Sequence, residues 1–217
     1  MSQLDELLDA VLDLRAALQA EQARGAWSIP RHVPEDGAEP LDLSDLPGCT
    51  RCARSAARTV VVGVDGPDTA PLVVVCDPPG PAEDAGGAPM VGPAAAMLDR
   101  MLTNVLGLAR RQVLVTPAIK CLGPAGDVSD AASCLPWLDA QLDRCRPGAI
   151  LVMGEAAAQA MFGTEVALRR HRGLWRDYRG IPAMPTHHPE ALVQEPRLKR
   201  AVFEDLKAVK ARLTATS

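Results

Sequence analysis

The run Leu72-Val73-Val74-Val75-Cys76, followed at once by Asp77-Pro78-Pro79-Gly80, decides the fold class. Five apolar, mostly β-branched residues with no polar alternation fit a strand buried on both faces, and the two prolines and the glycine end it in a loop. Two more short apolar runs, Gln112–Thr116 and Ala149–Met153, have the same character. Helical patterns lie between and after them: Pro93–Gly107 with Met97, Leu98, Met101, Leu102 and Val105 on one side, Ser129–Arg144 capped by Ser129 or Asp130, and Glu155–Phe162 stopped by Gly163. Leu174–Tyr178 and Ile181–Pro185, around Arg179-Gly180, read as a hairpin or paired short strands, and a last helix is expected from about Pro196 to Leu213. Alternating strands and helices predict a three-layer α/β/α sandwich around a mostly parallel four-stranded sheet. In such sheets ligands bind at the carboxyl ends of the strands. That rule selects Cys76–Glu83, Thr116–Cys121, Gly154 and Thr186–Glu190 as the chemical rim.

Outside this core the chain changes character. Leu4, Leu7, Leu8, Val11, Leu14 and Leu18 recur at helical spacing among acids, so residues 1–24 are expected to hold an amphipathic helix. Residues 25–47 carry Pro30, Pro34, Pro40 and Pro47 with no apolar period and read as an acidic linker, leaving residues 48–217 as the main domain. The helix has three readings: packed on its own domain, bound to a partner, or laid over the basic surface.

The 217 residues carry a net charge of −4, which argues against a strongly basic nucleic-acid binder, but the charge is uneven. Residues 1–48 hold −7 and the remainder +3, and from Thr164 onward eleven Lys and Arg face six acids. Clustered basic charge of this kind can hold a phosphate backbone, although a solvated helix face is the plainer reading. No apolar stretch approaches the roughly 20 residues of a membrane span. The first residues, with Asp5, Glu6 and Asp9, lack the basic start of a signal peptide. A cytoplasmic protein, away from membranes and monomeric, is expected.

Six cysteines are present. Cys49-Thr50-Arg51-Cys52 is a C-x-x-C turn, and Cys121 and Cys134 lie farther along, so four thiolates are available to one metal site. A cytoplasmic disulfide is disfavoured, which leaves zinc, an iron-sulfur cluster or unrelated thiols, and spacing alone does not separate them. Cys76 and Cys145 read as small buried hydrophobes, Cys76 with a lesser alternative as a reactive thiol on the rim.

Taken in order, Cys49-x-x-Cys52, Cys76-Asp-Pro-Pro-Gly80 with Glu83-Asp84, Gly87-Ala-Pro-Met-Val-Gly92, Thr116-Pro-Ala-Ile-Lys-Cys121, Cys134-Leu-Pro-Trp-Leu138, Met153-Gly-Glu-Ala-Ala157 and Thr186-His-His-Pro189 resemble family 4, the iron-sulfur family, of the uracil-DNA glycosylase superfamily. The likeness runs from Cys49 to about Leu213. It implies a [4Fe-4S] cluster on Cys49, Cys52, Cys121 and Cys134, serving structure. It also implies DNA as partner, with uracil or a damaged base in single or double strands, and cleavage of the N-glycosidic bond of a flipped nucleotide. Asp77 and His188 would be catalytic, His188 donating to the departing base, and Pro78, Gly80, Glu83, Met90 and Pro117 would surround that base.

The chain departs from the family pattern at three of these positions. Asp77 stands where active members carry Glu, one methylene longer; Met90 replaces an aromatic ring that would stack on the base; Pro117 replaces an Asn that would read its polar edge. The Cys121–Cys134 connection is shortened and lacks the basic, histidine-containing insertion of the subgroup that crosslinks to uracil-DNA. Weak or altered base excision is therefore expected. The alternatives are a catalytically inactive paralogue acting as a DNA- or partner-binding module, and an enzyme on another nucleobase that uses Cys76.

Overall fold

The structure is a computed structural model that describes residues 41–216. The expected N-terminal helix and residues 25–40 of the expected linker lie outside the described residues. Residues 43–48 form a 3-10 turn, and Leu41, Leu43 and Leu46 pack on the core.

Five strands form one sheet in the order β2-β1-β3-β5-β4: β1 Leu72–Cys76, β2 Val113–Pro117, β3 Ala149–Met153, β4 Arg176–Tyr178 and β5 Ile181–Thr186. The first four in that order are parallel, as predicted, and β4 runs antiparallel to β5 at the edge. The fifth strand corrects the expected count of four. Arg179 and Gly180 both take positive φ, the geometry of a tight hairpin turn, so Arg176–Tyr178 folds back and pairs with β5.

Eight to nineteen-residue helices cover both faces, with shorter ones at the rim. They are α1 Pro81–Gly86, α2 Gly92–Met101, α3 Ala131–Cys145, α4 Glu155–Phe162, α5 Leu168–His171, α6 Pro189–Gln194 and α7 Leu198–Thr216. Alternate strand residues face opposite layers, as a pleated strand requires. Val73, Val75, Ile150 and Val152 pack under α3 and α4 with Trp137, Leu138, Met161 and Phe162. Leu72, Val74, Leu151 and Met153 pack under α2 and α7 with Leu98, Met101, Val202 and Leu206. Both faces are dry, which is why the strands carry no polar alternation. After Met101 the helical path widens into a π-turn, Leu102–Leu106, closed by Gly107 in the left-handed region. None of the described helices is long and apolar enough to cross a membrane.

Candidate active site and cysteine cluster

The register fixes the rim. Cys76 lies beside Pro117 on one side and Met153 on the other, and Met153 lies beside Thr186. The residues that follow are therefore placed side by side in the order Ala118, Asp77, Gly154, His187, with Pro117 one residue below that row. Asp77 and the histidine pair leave strands two places apart, roughly 10 Å at the usual strand spacing.

Asp77 turns from the end of β1 onto the start of α4. Its Oδ1 accepts the Ala157 N–H at 2.7 Å. Gly154, the cap residue of α4, has no side chain to perform that service, and its φ of +114° is a conformation that L side chains rarely adopt. A Cβ there would sit 2.1 Å from the Asp77 carboxylate, so glycine at 154 is what lets the carboxylate reach the helix. Burial is the leading influence on Asp77 and raises its pKa to about 6; the α4 amides pull the other way, and Glu155 and Glu190 reinforce the rise.

His188 caps α6. Its Nδ1 accepts the Glu190 N–H at 3.3 Å, and desolvation lowers the ring's pKa to about 4. The imidazole is thus neutral near pH 7, with Nδ1 engaged as acceptor and the hydrogen on Nε2. The strand beneath is anchored: Thr186 Oγ1 donates to Asp205 at 2.7 Å, Arg172 Nε donates to the same carboxylate at 3.1 Å, and Gly154 N–H donates to the Thr186 carbonyl at 3.0 Å.

The remaining base-site candidates divide. Glu83 spends both oxygens on the loop, Oε2 on the Gly80 N–H at 2.7 Å and Oε1 on the Met90 N–H at 2.9 Å. It therefore holds the Pro78–Gly80 segment and Met90 together rather than presenting an open carboxylate. Met90 has φ +54° and is 2% exposed, with its side chain in the α2/α7 core layer. Pro117 is buried, and its carbonyl accepts Lys120 Nζ at 2.6 Å. Cys76 is buried and its thiol is pushed well up, by desolvation first and then by Glu83 and Asp77, which removes the reason to treat it as a nucleophile.

After burial, the larger cause, Cys52 and Cys49 add to the rise of the Cys134 thiol, and Cys134 and Cys52 add to that of Cys121, so the C-x-x-C turn lies within electrostatic reach of both later cysteines. None of the described cysteines is in a disulfide. Three of the sulfurs receive donors: Trp137 Nε1 to Cys49 Sγ at 3.2 Å, Lys120 N–H to Cys134 Sγ at 3.3 Å, and Arg58 Nη1 to Cys121 Sγ at 3.5 Å. N–H groups aimed at sulfur are what thiolate ligands of a cluster accept. Among the described residues, no three His, Cys, Asp or Glu side chains converge closely enough to hold a single metal ion. Without a metal, burial pushes the Cys121 and Cys134 thiols up.

Four neighbours of this site were not singled out from the sequence. Lys120 is buried beside Cys121, Arg54 joins the C-x-x-C turn to the Cys121–Cys134 connection, and Trp137 and Arg58 reach sulfurs. The available signal was a lysine inside the apolar stretch Ala118-Ile-Lys-Cys121 and an arginine two residues after the second cysteine.

Sequence comparison agrees with this geometry. The family model for the uracil DNA glycosylase superfamily matches residues 64–207. The chain belongs to that superfamily. Among curated relatives, a type-4 uracil-DNA glycosylase from Thermotoga maritima is 34% identical, covering 75% of this chain and 88% of its own length. The type-4 uracil-DNA glycosylase of Sulfurisphaera tokodaii is 31% identical over 75% of this chain and 79% of the relative. That of Saccharolobus solfataricus is 29% identical over 81% and 87%.

Proposed function

We propose that this superfamily member is a DNA glycosylase that hydrolyses the N-glycosidic bond of uracil or another altered base, acting on a nucleotide flipped out of the helix. The observation that carries the reading is His188. A neutral imidazole, fixed through Nδ1 at the rim, offers Nε2–H to a base that takes up negative charge as it leaves, and a donor already oriented needs no reorganisation in the transition state. The C1′–N bond breaks with its electron pair on the base, water adds to C1′, and Asp77 as the carboxylate takes the water's proton and faces the positive charge developing on the sugar. Asp77 is held rigidly by the α4 amides, which suits that role. Its shorter reach is expected to cost rate, since misplacement by about an ångström can cost ~10²-fold.

The type-4 relatives and the four-thiol donor set support a [4Fe-4S] cluster on Cys49, Cys52, Cys121 and Cys134. When bound it would crosslink the turn before β1 to the β2–α3 connection and supply structure rather than bond cleavage. The working unit in this reading is residues 48–217, monomeric and cytoplasmic, with the acidic segment 1–24 tethered to it.

A second reading, a non-catalytic DNA- or partner-binding module, is favoured by one group of contacts. Met90 is turned into the core, both Glu83 oxygens are taken, and Pro117 offers no side-chain donor. Such a site has few polar groups left to read a pyrimidine edge.

Single-turnover cleavage of uracil-containing single- and double-stranded oligonucleotides by anaerobically purified protein separates the two. Slow excision that falls at least 100-fold in His188→Ala and Asp77→Ala is expected. Excision unchanged in His188→Ala would remove the site assignment, and absence of excision from a panel of altered bases with DNA binding intact would establish the module.

A further inference from the structure

We infer that Thr186, held by Asp205 and Arg172, is the positioning residue that sets His188 against Asp77, an inference that rests on the roles given to those two side chains above.

Thr186 is the last residue of β5, fully buried, and stands two places before His188. Three parts of the fold converge on it. Its carbonyl accepts the Gly154 N–H at 3.0 Å, and Gly154 is the residue that leaves room for the Asp77 carboxylate on α4. Its Oγ1 donates at 2.7 Å to Oδ2 of Asp205, a buried carboxylate on α7. One residue earlier, the Pro185 carbonyl accepts the Gly173 N–H at 3.0 Å, from the turn that carries Arg172. Arg172 closes the arrangement. Its Nε donates to Asp205 Oδ2 at 3.1 Å, and its Nη2 donates to Asp205 Oδ1 and, at 2.6 Å, to the Ala201 carbonyl one helical turn earlier on α7.

Holding α7 on the sheet does not call for this group, because Val202, Leu206 and Val209 already pack in one apolar layer with Met184 of β5. Apolar contact has no direction. A charge-assisted bond from a hydroxyl to a carboxylate does, and it fixes where β5 ends against α7. A buried carboxylate is costly to desolvate, and Arg172 offsets that cost from the same side of the loop. Through its carbonyl Thr186 is tied to the seat of Asp77, and through two further residues it leads to the imidazole that caps α6. The two side chains therefore share one reference point. Bond cleavage uses both at once, His188 at the departing base and Asp77 at the water, so their relative placement matters at the ångström scale.

Two substitutions in the full-length protein isolate the hydroxyl. Thr186→Val keeps the shape, removes the donor and leaves Arg172 on Asp205; Thr186→Ser keeps the donor. In single-turnover excision, Thr186→Val is expected to lower the rate at saturating uracil-containing DNA about tenfold. Its dissociation constant for the same DNA stays at the wild-type value, and Thr186→Ser recovers most of the rate. Asp205→Asn weakens the same bond from its other side and is expected to act alike. Nitrogen NMR of the His188 ring reads the placement directly: the Nδ1 resonance, which reports acceptance from the Glu190 N–H, moves in Thr186→Val and not in Thr186→Ser. Lost stability alone would lower the amount of DNA-binding protein without separating rate from affinity or moving the ring signal of the folded molecule. A wild-type rate in Thr186→Val, a fall that Thr186→Ser does not recover, or a fall with an unmoved ring signal would overturn the role of Thr186 while leaving the glycosylase reading standing. Wild-type protein that excises no altered base would overturn both.

Discussion

Asp77 and His188 differ by how their surroundings move their protons in opposite directions. Burial raises the Asp77 carboxyl to about 6 and lowers the His188 imidazole to about 4. If the carboxylate is the reacting form of Asp77, activity rises with pH as that group ionises. His188 is already neutral above about pH 5 and adds no second limb. The expected profile of kcat/KM is one ascending limb with a midpoint about 6 and a plateau above it. Asp77→Asn should lower the plateau and flatten the limb. A bell falling again near pH 7 would mean that protonated histidine is the working form. Linkage gives the stability counterpart: a carboxyl whose folded pKa is raised binds more protons folded than unfolded. Its contribution is therefore most favourable at low pH and is lost as pH rises from about 4 to about 6.

Among the elements, the turn bearing Cys49 and Cys52 has little secondary structure to hold it, and Arg54 provides the fastening. Its Nε donates to Asp130 Oδ2 at 2.9 Å, and Nη2 donates to the Asp127 carbonyl at 2.6 Å and carboxylate at 3.1 Å. Asp130 stands at the cap position of α3, yet its side chain makes no cap hydrogen bond there. Gly123 gives the arginine room, since a Cβ would lie 2.1 Å from Nη1. One side chain thus joins both halves of the cysteine set across the shortened Cys121–Cys134 connection. The guanidinium is nearly buried while its partners are partly exposed, so Arg54→Ala is expected to cost about 3 kcal/mol, the lower end for breaking a buried pair. Denaturant unfolding checks the stability. Loss of iron on dilution into chelator should also be faster in the variant. The sequence told much about elements and little about such fastenings. Leu72–Cys76 and Ala149–Met153 were legible because both faces of a parallel strand are dry, and Thr186-His-His-Pro189 was legible as a motif. The Arg54 contacts span 73 and 76 residues and the Asp77 contact with Ala157 spans 80, so no local pattern announces them. Met90 was read as facing a base because of its position in a motif. Its left-handed backbone, its N–H held by Glu83 seven residues away and its burial are features that no local pattern announces.

For the whole molecule, the question is how a chain of net charge −4 holds a polyanion. The answer offered by the sequence is segregation along the chain, with −7 in residues 1–48 and +3 on the rest. Where α6 hands over to α7, a cleft of about 330 Å³ is lined by Arg172, Arg197, Arg200, Ala201 and Glu204, one short helix away from His188. Arg172 is committed to Asp205, and Arg197 pairs with Glu195, which leaves Arg200 as the lining cation best placed to meet phosphate. A phosphate contact positions DNA without reading its sequence, so its loss should weaken uracil-containing and undamaged DNA alike. Arg200→Ala is expected to flatten the plot of log Kobs against log salt by about 0.9 for duplex and about 0.7 for single strands, one counterion's worth. The single-turnover rate at saturating DNA should stay at the wild-type value, because Arg200 touches none of the rim side chains. An unchanged salt slope would move the DNA path away from this cleft, and a loss confined to uracil-containing DNA would make Arg200 part of base recognition.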